Sequence, residues 1–206
     1  MTTTSTLRER QAEQVRLAIL EAVVRELEER SADDLSMGAV AEAAGISLRT
    51  LYRYFPDRPS LLDAVGQHVV ASLGLPIEIG GPTGISASFL DAARRFSNRP
   101  QLARALVQSA AGRTARSSAR PQRQEAIGAA LRSATDGLDP EVARRATAVI
   151  AHLCSLESWV SIANTSGLAD AEAQVAVAWA IDTLVAALQH QKSPRPPRRR
   201  SAPDPK

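Results

Sequence analysis

One glycine between two short helical runs constrains this chain more than any other feature. Gly45 lies in Leu35 to Phe55, LSMGAVAEAAGISLRTLYRYF. Glycine takes the left-handed conformation without a side-chain penalty, so Gly45 is where a first helix stops and the chain turns into a second. Ser36 is a suitable N-cap for the first, and Ala39, Val40, Ala43 and Ala44 follow at spacings that keep small apolar groups on its inner side. Ile46 plugs the corner, Ser47 caps the second helix, and Leu51 and Phe55 give that helix a buried stripe. On the wheel Ser47, Arg49, Thr50, Arg53 and Tyr54 fall mainly away from Leu51. Guanidinium groups grip guanine edges or phosphates, and hydroxyl and phenol groups bind phosphate oxygens, so this pattern points to a helix that reads duplex DNA. The same spacing also fits a plain αα-hairpin whose arginines are merely solvated.

The rest of the chain predicts an all-α protein. Ala, Leu, Glu, Arg and Gln dominate, and runs rich in Val, Thr, Tyr and Phe that would signal strands are absent. A long helix is expected from Leu7 to Arg30, with Val15, Ile19, Val23 and Leu27 as its buried stripe. After the helix-turn-helix, Pro56-Asp57 caps a helix from Arg58 to Leu73 in which Leu61, Leu62, Val65 and Val69 pack inward. Gly74 to Gly84, with two prolines and four glycines, reads as a linker. Beyond it three helices are expected, over Ser86–Ser97, Pro100–Ala111 (with Asn98 as N-cap) and Pro121–Thr135. Asp139-Pro140-Glu141 then starts a helix to Asn164, and a last helix follows Gly167 to Asp170 and ends near Gln191.

Those last two helices are apolar over more than one face. Between Ala146 and Ala169 only Glu157 is charged. Such helices must bury more than one side, either one against their own domain and one against a second copy of the chain, or both in the centre of a monomer. Val149, Leu153, Leu156, Trp159 and Val160 of the first, with Val177, Ile181, Leu184 and Leu188 of the second, are the expected two-fold interface of a homodimer.

Charge is unevenly placed. Residues 1–75 hold 8 Arg and 11 acidic groups, so net charge gives no support to DNA binding there. Only the run from Ile46 to Pro56, with Arg49 and Arg53 and no acid, does so. Residues 76–135 hold nine arginines and three acids. These arginines either rim a pocket for an anionic effector or are solvated, and solvation is the default expectation. The tail from Ser193, SPRPPRRRSAPDPK, has the composition of a disordered basic segment. Arg8 and Arg10 begin a solvated helix, with a minor-groove arm as the other reading.

Catalysis finds no support. His68, His152 and His190 fall on separate helices without carboxylate or thiol at ligand spacing, and no nucleophile motif occurs, so neither an enzyme nor a metal site is expected. GGPTG lacks the Gly-Lys-Ser/Thr ending and the preceding strand of a phosphate loop, so no cofactor is expected. The single cysteine, Cys154, fits a reducing cytoplasm. No stretch approaches 18 uninterrupted apolar residues, so no membrane insertion is expected.

Residues 12–72 resemble the N-terminal domain of the TetR family of bacterial transcriptional regulators. The resemblance rests on Ile19 to Ala22 in the first helix, Ser36 at the start of the second, Ala41 to Ser47 around the corner, Thr50 to Phe55 in the reading helix, and Arg58. It implies that Ser36, Tyr52, Tyr54 and Arg58 hold phosphates while Leu48, Arg49 and Thr50 approach base edges. Leu48 stands where the family commonly has a polar or basic residue, and Arg49 where a small residue is common. A leucine there suits a thymine methyl. The resemblance further implies a three-helix DNA-binding domain over 12–72 and an effector-binding and dimerisation domain over 85–191, while composition gives a flexible arm over 1–11 and a disordered basic tail over 192–206. Its implied function is a repressor that leaves a palindromic operator when a small-molecule effector binds. The other reading is a helical ligand-binding or protein-interaction module that no longer reads DNA.

Overall fold

The computed structural model describes residues 6–29, 35–75 and 78–192. The expected tail from Ser193, the first five residues and the turn over 31–34 lie outside them. The described residues form ten α-helices and one 3-10 turn, with no strand. In chain order these are α1 (Leu7–Glu29), α2 (Met37–Ala43), α3 (Leu48–Tyr54), α4 (Arg58–Ser72), the turn Pro82–Gly84, α5 (Ile85–Ser97), α6 (Pro100–Gln108), α7 (Ala110–Thr135), α8 (Pro140–Leu153), α9 (Leu156–Ser166) and α10 (Asp170–Lys192).

The N-terminal helices form where their caps and apolar stripes place them. In α1 Ile19, Leu20, Val23, Val24 and Leu27 are buried against α2 and α4, while Val15 is half-buried. Asp57 and Ser60 make a reciprocal capping box at the start of α4, whose Leu61, Leu62, Val65 and Val69 are buried.

The two halves of the chain share one apolar core. α4 lies along α7, and at their crossing Gly66 has no room for a side chain: a Cβ there would collide with the Ala115 carbonyl and the Ser118 hydroxyl. Ser118 Oγ donates to the Asp63 carbonyl (3.1 Å), and Gln67 Nε2 donates to the Ser118 carbonyl (3.1 Å), pinning the helices on both sides of the glycine. A second tie joins α1 to the start of α6, where Arg99 grips both carboxylate oxygens of Glu28 at 2.9 and 2.6 Å.

Three sequence expectations are corrected. α7 begins at Ala110, well before Pro121, and runs through the proline. Ser109 caps it, its Oγ accepting from Gly112 N (2.8 Å). Pro121 removes one helical hydrogen bond, and the helix tolerates this because Ala111 and Ala115 before it and Ile127 and Leu131 after it are buried. The single helix expected from Asp139 to Asn164 is two, α8 and α9, bent by 66° at the break. Ser155 caps the second piece, its Oγ accepting from Ser158 N (3.2 Å). Asn98 is the C-cap of α5 and not the N-cap of α6, which falls on Arg99.

α10 over Asp170–Gln191 has a mean hydropathy of 1.4, long and apolar enough by composition to cross a membrane. Here it is a packed helix: Ala173, Val177, Ile181, Val185 and Leu188 are buried, against α5, α7, α8 and α9.

Candidate nucleic-acid interface and effector cavity

The corner between α2 and α3 is closed by the backbone. Gly45 is left-handed (φ 66°), Ile46 N donates to the Ala41 carbonyl and Gly45 N to the Glu42 carbonyl, both at 3.0 Å. This is the Schellman arrangement that ends a helix without leaving its last carbonyls unpaired. Ser36 Oγ accepts from Ala39 N (3.1 Å) at the start of α2, and Ser47 Oγ accepts from Thr50 N (3.1 Å) at the start of α3. Leu51 and Phe55 then anchor α3 in the core.

What remains facing outward is Leu48, Arg49, Tyr52 and Arg53, with Leu48 45% and Tyr52 47% exposed. Large apolar surface left in water on a two-turn helix is unusual, and here it alternates with two cations that make no ion pair among the described residues. Arg53 stacks over the Tyr54 ring, 5.3 Å from its centroid, which holds its guanidinium beside the face.

Other site residues named from the sequence are placed differently. The Thr50 hydroxyl lies 2.9 Å from Ser47 Oγ and is half-buried, so both oxygens serve the cap. Ser36 likewise uses its hydroxyl on α2. Tyr54 is half-buried against the core and not outward, because α3 turns it toward the side of Leu51. Arg58 is half-buried, with Nε donating to the Leu35 carbonyl (3.1 Å). It first ties α4 to the entrance of α2.

The expected two-fold interface is also redrawn. Leu156, Trp159, Val160, Val177, Ile181 and Leu188 are buried inside the protomer, and Leu153 and Leu184 are half-buried. The break at Cys154 and Ser155 rotates α9 so that its apolar side faces the protomer's own core. Of the nine residues named, only Val149 (50%) is exposed. The outward apolar groups of these helices are Val142 and Val149 of α8 and Val175 and Trp179 (69%) of α10, three of which the wheel did not single out for this role.

A cavity of about 230 Å³ opens between α4, α7 and the α8–α9 break. Gly66, Val69, Val70, Phe96, Leu106 and Ala115 form its apolar wall. Arg116, Arg120 and Arg123, one face of α7, form the other. The expectation that the arginines of residues 76–135 are all solvated is thereby corrected, since Arg116 and Arg123 are half-buried here. Arg116 donates to the Leu106 carbonyl (2.8 Å) and pairs with Glu157 (3.2 Å). Arg123 donates through Nη1 to the Cys154 carbonyl (2.8 Å). Burial lowers its pKa; Cys154 opposes this, and the neighbouring Arg116 charge adds the smallest effect, a further lowering. Burial pushes the Cys154 thiol up to about 12.

A buried corner, a capped two-turn helix with an outward cationic and apolar face, and a helical body behind it have the form of a helix-turn-helix protein. Residues 19–65 match the family described as bacterial regulatory proteins, tetR family. The transcriptional repressor LfrR of Mycolicibacterium smegmatis is 37% identical over 71 residues, 34% of this chain and 36% of that one. The match thus spans about a third of that relative's length. A tetR-family regulator from Streptomyces coelicolor is similar in fold, with a TM-score of 0.57 at 21% identity over 87% of this chain and 84% of that one. So is RolR, solved with resorcinol, with a TM-score of 0.57 at 20% identity over 91% and 97%. The N-terminal part of the chain is thus similar to the DNA-binding domain of tetR-family bacterial regulatory proteins, and the fold of the whole resembles solved regulators of that family.

Proposed function

We propose that this chain is a sequence-specific, DNA-binding transcriptional repressor. It acts as a cytoplasmic homodimer that leaves a palindromic operator when a small molecule enters the α4–α7 cavity. The observation that carries the reading is the outward face of α3, with Arg49 and Arg53 in no ion pair among the described residues and Leu48 and Tyr52 in water. Leu48 is placed for a thymine methyl, Arg49 for a base edge, and Tyr52 and Arg53 for phosphates. Ser36, Ser47 and Thr50 contribute by fixing the helices, and Tyr54 and Arg58 by bracing them. The two-fold interface is assigned to the exposed stripe of Val142, Val149, Val175 and Trp179. Two copies then present their reading helices to half-sites about one turn of DNA apart, roughly 34–36 Å.

Selection of random duplex DNA by the purified protein, followed by titration at two salt concentrations, tests the reading. An enriched inverted repeat bound by a dimer, with affinity falling steeply as salt rises, is the expected outcome. Failure of folded, dimeric protein to enrich any sequence would overturn it.

A further inference from the structure

The chemical class of the effector follows from the wall of the cavity, and this inference rests on the effector role proposed above. Arg116, Arg120 and Arg123 all line it, and the only acidic residue that does so, Glu157, is paired with Arg116. Two guanidinium groups therefore remain without a carboxylate. Among the described residues Arg120 makes no ion pair, and Arg123 has only the Cys154 carbonyl. A half-buried cation held by a single neutral acceptor is poorly compensated, and an anion beside it would supply what is missing. Opposite these cations the wall is hydrocarbon: Val69, Val70, Phe96 and Leu106.

We propose that the cavity takes a small amphipathic carboxylic acid as its anion, with the carboxylate against Arg120 and Arg123 and an apolar body against Val69, Val70, Phe96 and Leu106. Guanidinium groups recognise a carboxylate through paired N–H donors, which fixes the orientation of the acid. A void of about 150 Å³ takes one benzene ring. At about 230 Å³ the space suits a single ring or short chain with its carboxylate. The body of the ligand then lies on α4 itself, beside Gly66, where an added volume bears directly on the helix that leads to the reading head.

The test is calorimetric titration of the full-length protein at neutral pH with benzoate, phenylacetate and hexanoate, each beside its neutral amide. At least one acid is expected to bind, ten or more times tighter than its amide. Arg120→Gln and Arg123→Gln are each expected to weaken that acid at least tenfold, while Arg104→Gln, exposed on α6 away from the cavity, leaves it unchanged. Arg120 is exposed and bonded to no described group, so its variant folds even if the Arg123 variant does not. Equal binding of acid and amide, full binding by both variants, or no binding by any of the acids would each overturn the proposal. If amides bind and release operator DNA, the effector role stands and only the anion assignment falls. Loss of operator binding by the ligand-free protein would instead count against the repressor reading.

Discussion

Arginine stands in two different surroundings on α3 and on α7, and the contrast shows how surroundings set what an identical side chain can bind. Arg49 and Arg53 stand in water on a short helix, where their charge costs nothing to keep and is free to meet phosphate or guanine. Arg120 and Arg123 face a cavity whose opposite wall is hydrocarbon, and Arg123, half-buried with one neutral acceptor, is a costly charge that defines what suits the space. The first pair suits a large polyanion arriving from outside. The second suits one small anion enclosed with its apolar body.

The largest expected effect breaks the outer half of that contrast. Replacing both Arg49 and Arg53 by alanine should weaken operator binding by about 2–5 kcal/mol and flatten its salt dependence, while the melting temperature stays put because neither side chain supports the core. Fluorescence anisotropy with the selected operator, beside a thermal melt, reads both quantities. A fall in stability instead would make these arginines part of the fold. Next comes the dimer. Trp179→Glu places a charge in the exposed α10 stripe and should give monomers in sedimentation velocity at micromolar protein, with helicity retained; unchanged dimers would move the interface elsewhere.

Arg123→Met tests the inner half. Removing an uncompensated guanidinium and keeping its volume should leave stability within about 1 kcal/mol of the original, or raise it, by chemical denaturation. A loss of several kcal/mol would make Arg123 a structural pillar. Cys154 gives the smallest effect at neutral pH. Its thiol is raised to about 12 by burial, so the unfolded chain ionises first as pH climbs past the ordinary thiol value of 9.0. Stability owed to the neutral thiol is complete below that value and disappears between pH 9 and 12. At pH 8 the folded protein should resist iodoacetamide that labels Cys154 once it unfolds.

The head of the molecule was legible in its sequence because its determinants are local. Ser36, Gly45, Ser47 and Asp57 act within four residues of themselves, through caps and one left-handed turn. The cavity was not legible for the opposite reason. Arg116, Arg120 and Arg123 repeat at helical spacing on a helix rich in Ala and Ser, which reads as a solvated face until α4 and α9 are packed over it. Their spacing was the available signal, and Pro121 obscured it by passing for a helix start. The burial of Leu156, Trp159 and Val160 in the protomer was not legible because Ser155, a polar residue in an apolar run, is a cap whose 66° bend no periodicity reveals. Without that bend Trp159 and Val160 share a face with Val149; with it they turn inward. The exposure of Trp179 was not legible for a simpler reason, since a tryptophan in an apolar helix looks like core.

The crossing at Gly66 makes α4 a lever with an unequal pair of arms. Arg58, at the end nearest α3, lies eight residues from the crossing, about 12 Å along the axis at 1.5 Å per residue, while Val69 and Val70 touch the cavity within one turn on the other side. Under the proposed release, a sideways shift of the short arm would be multiplied at the end of α4 nearest α3. A wedge of less than an ångström beside Val69 becomes roughly two to three times that displacement at Arg58 if the helix stays straight. The fulcrum has to be thin for this to work, and glycine is the thinnest residue available.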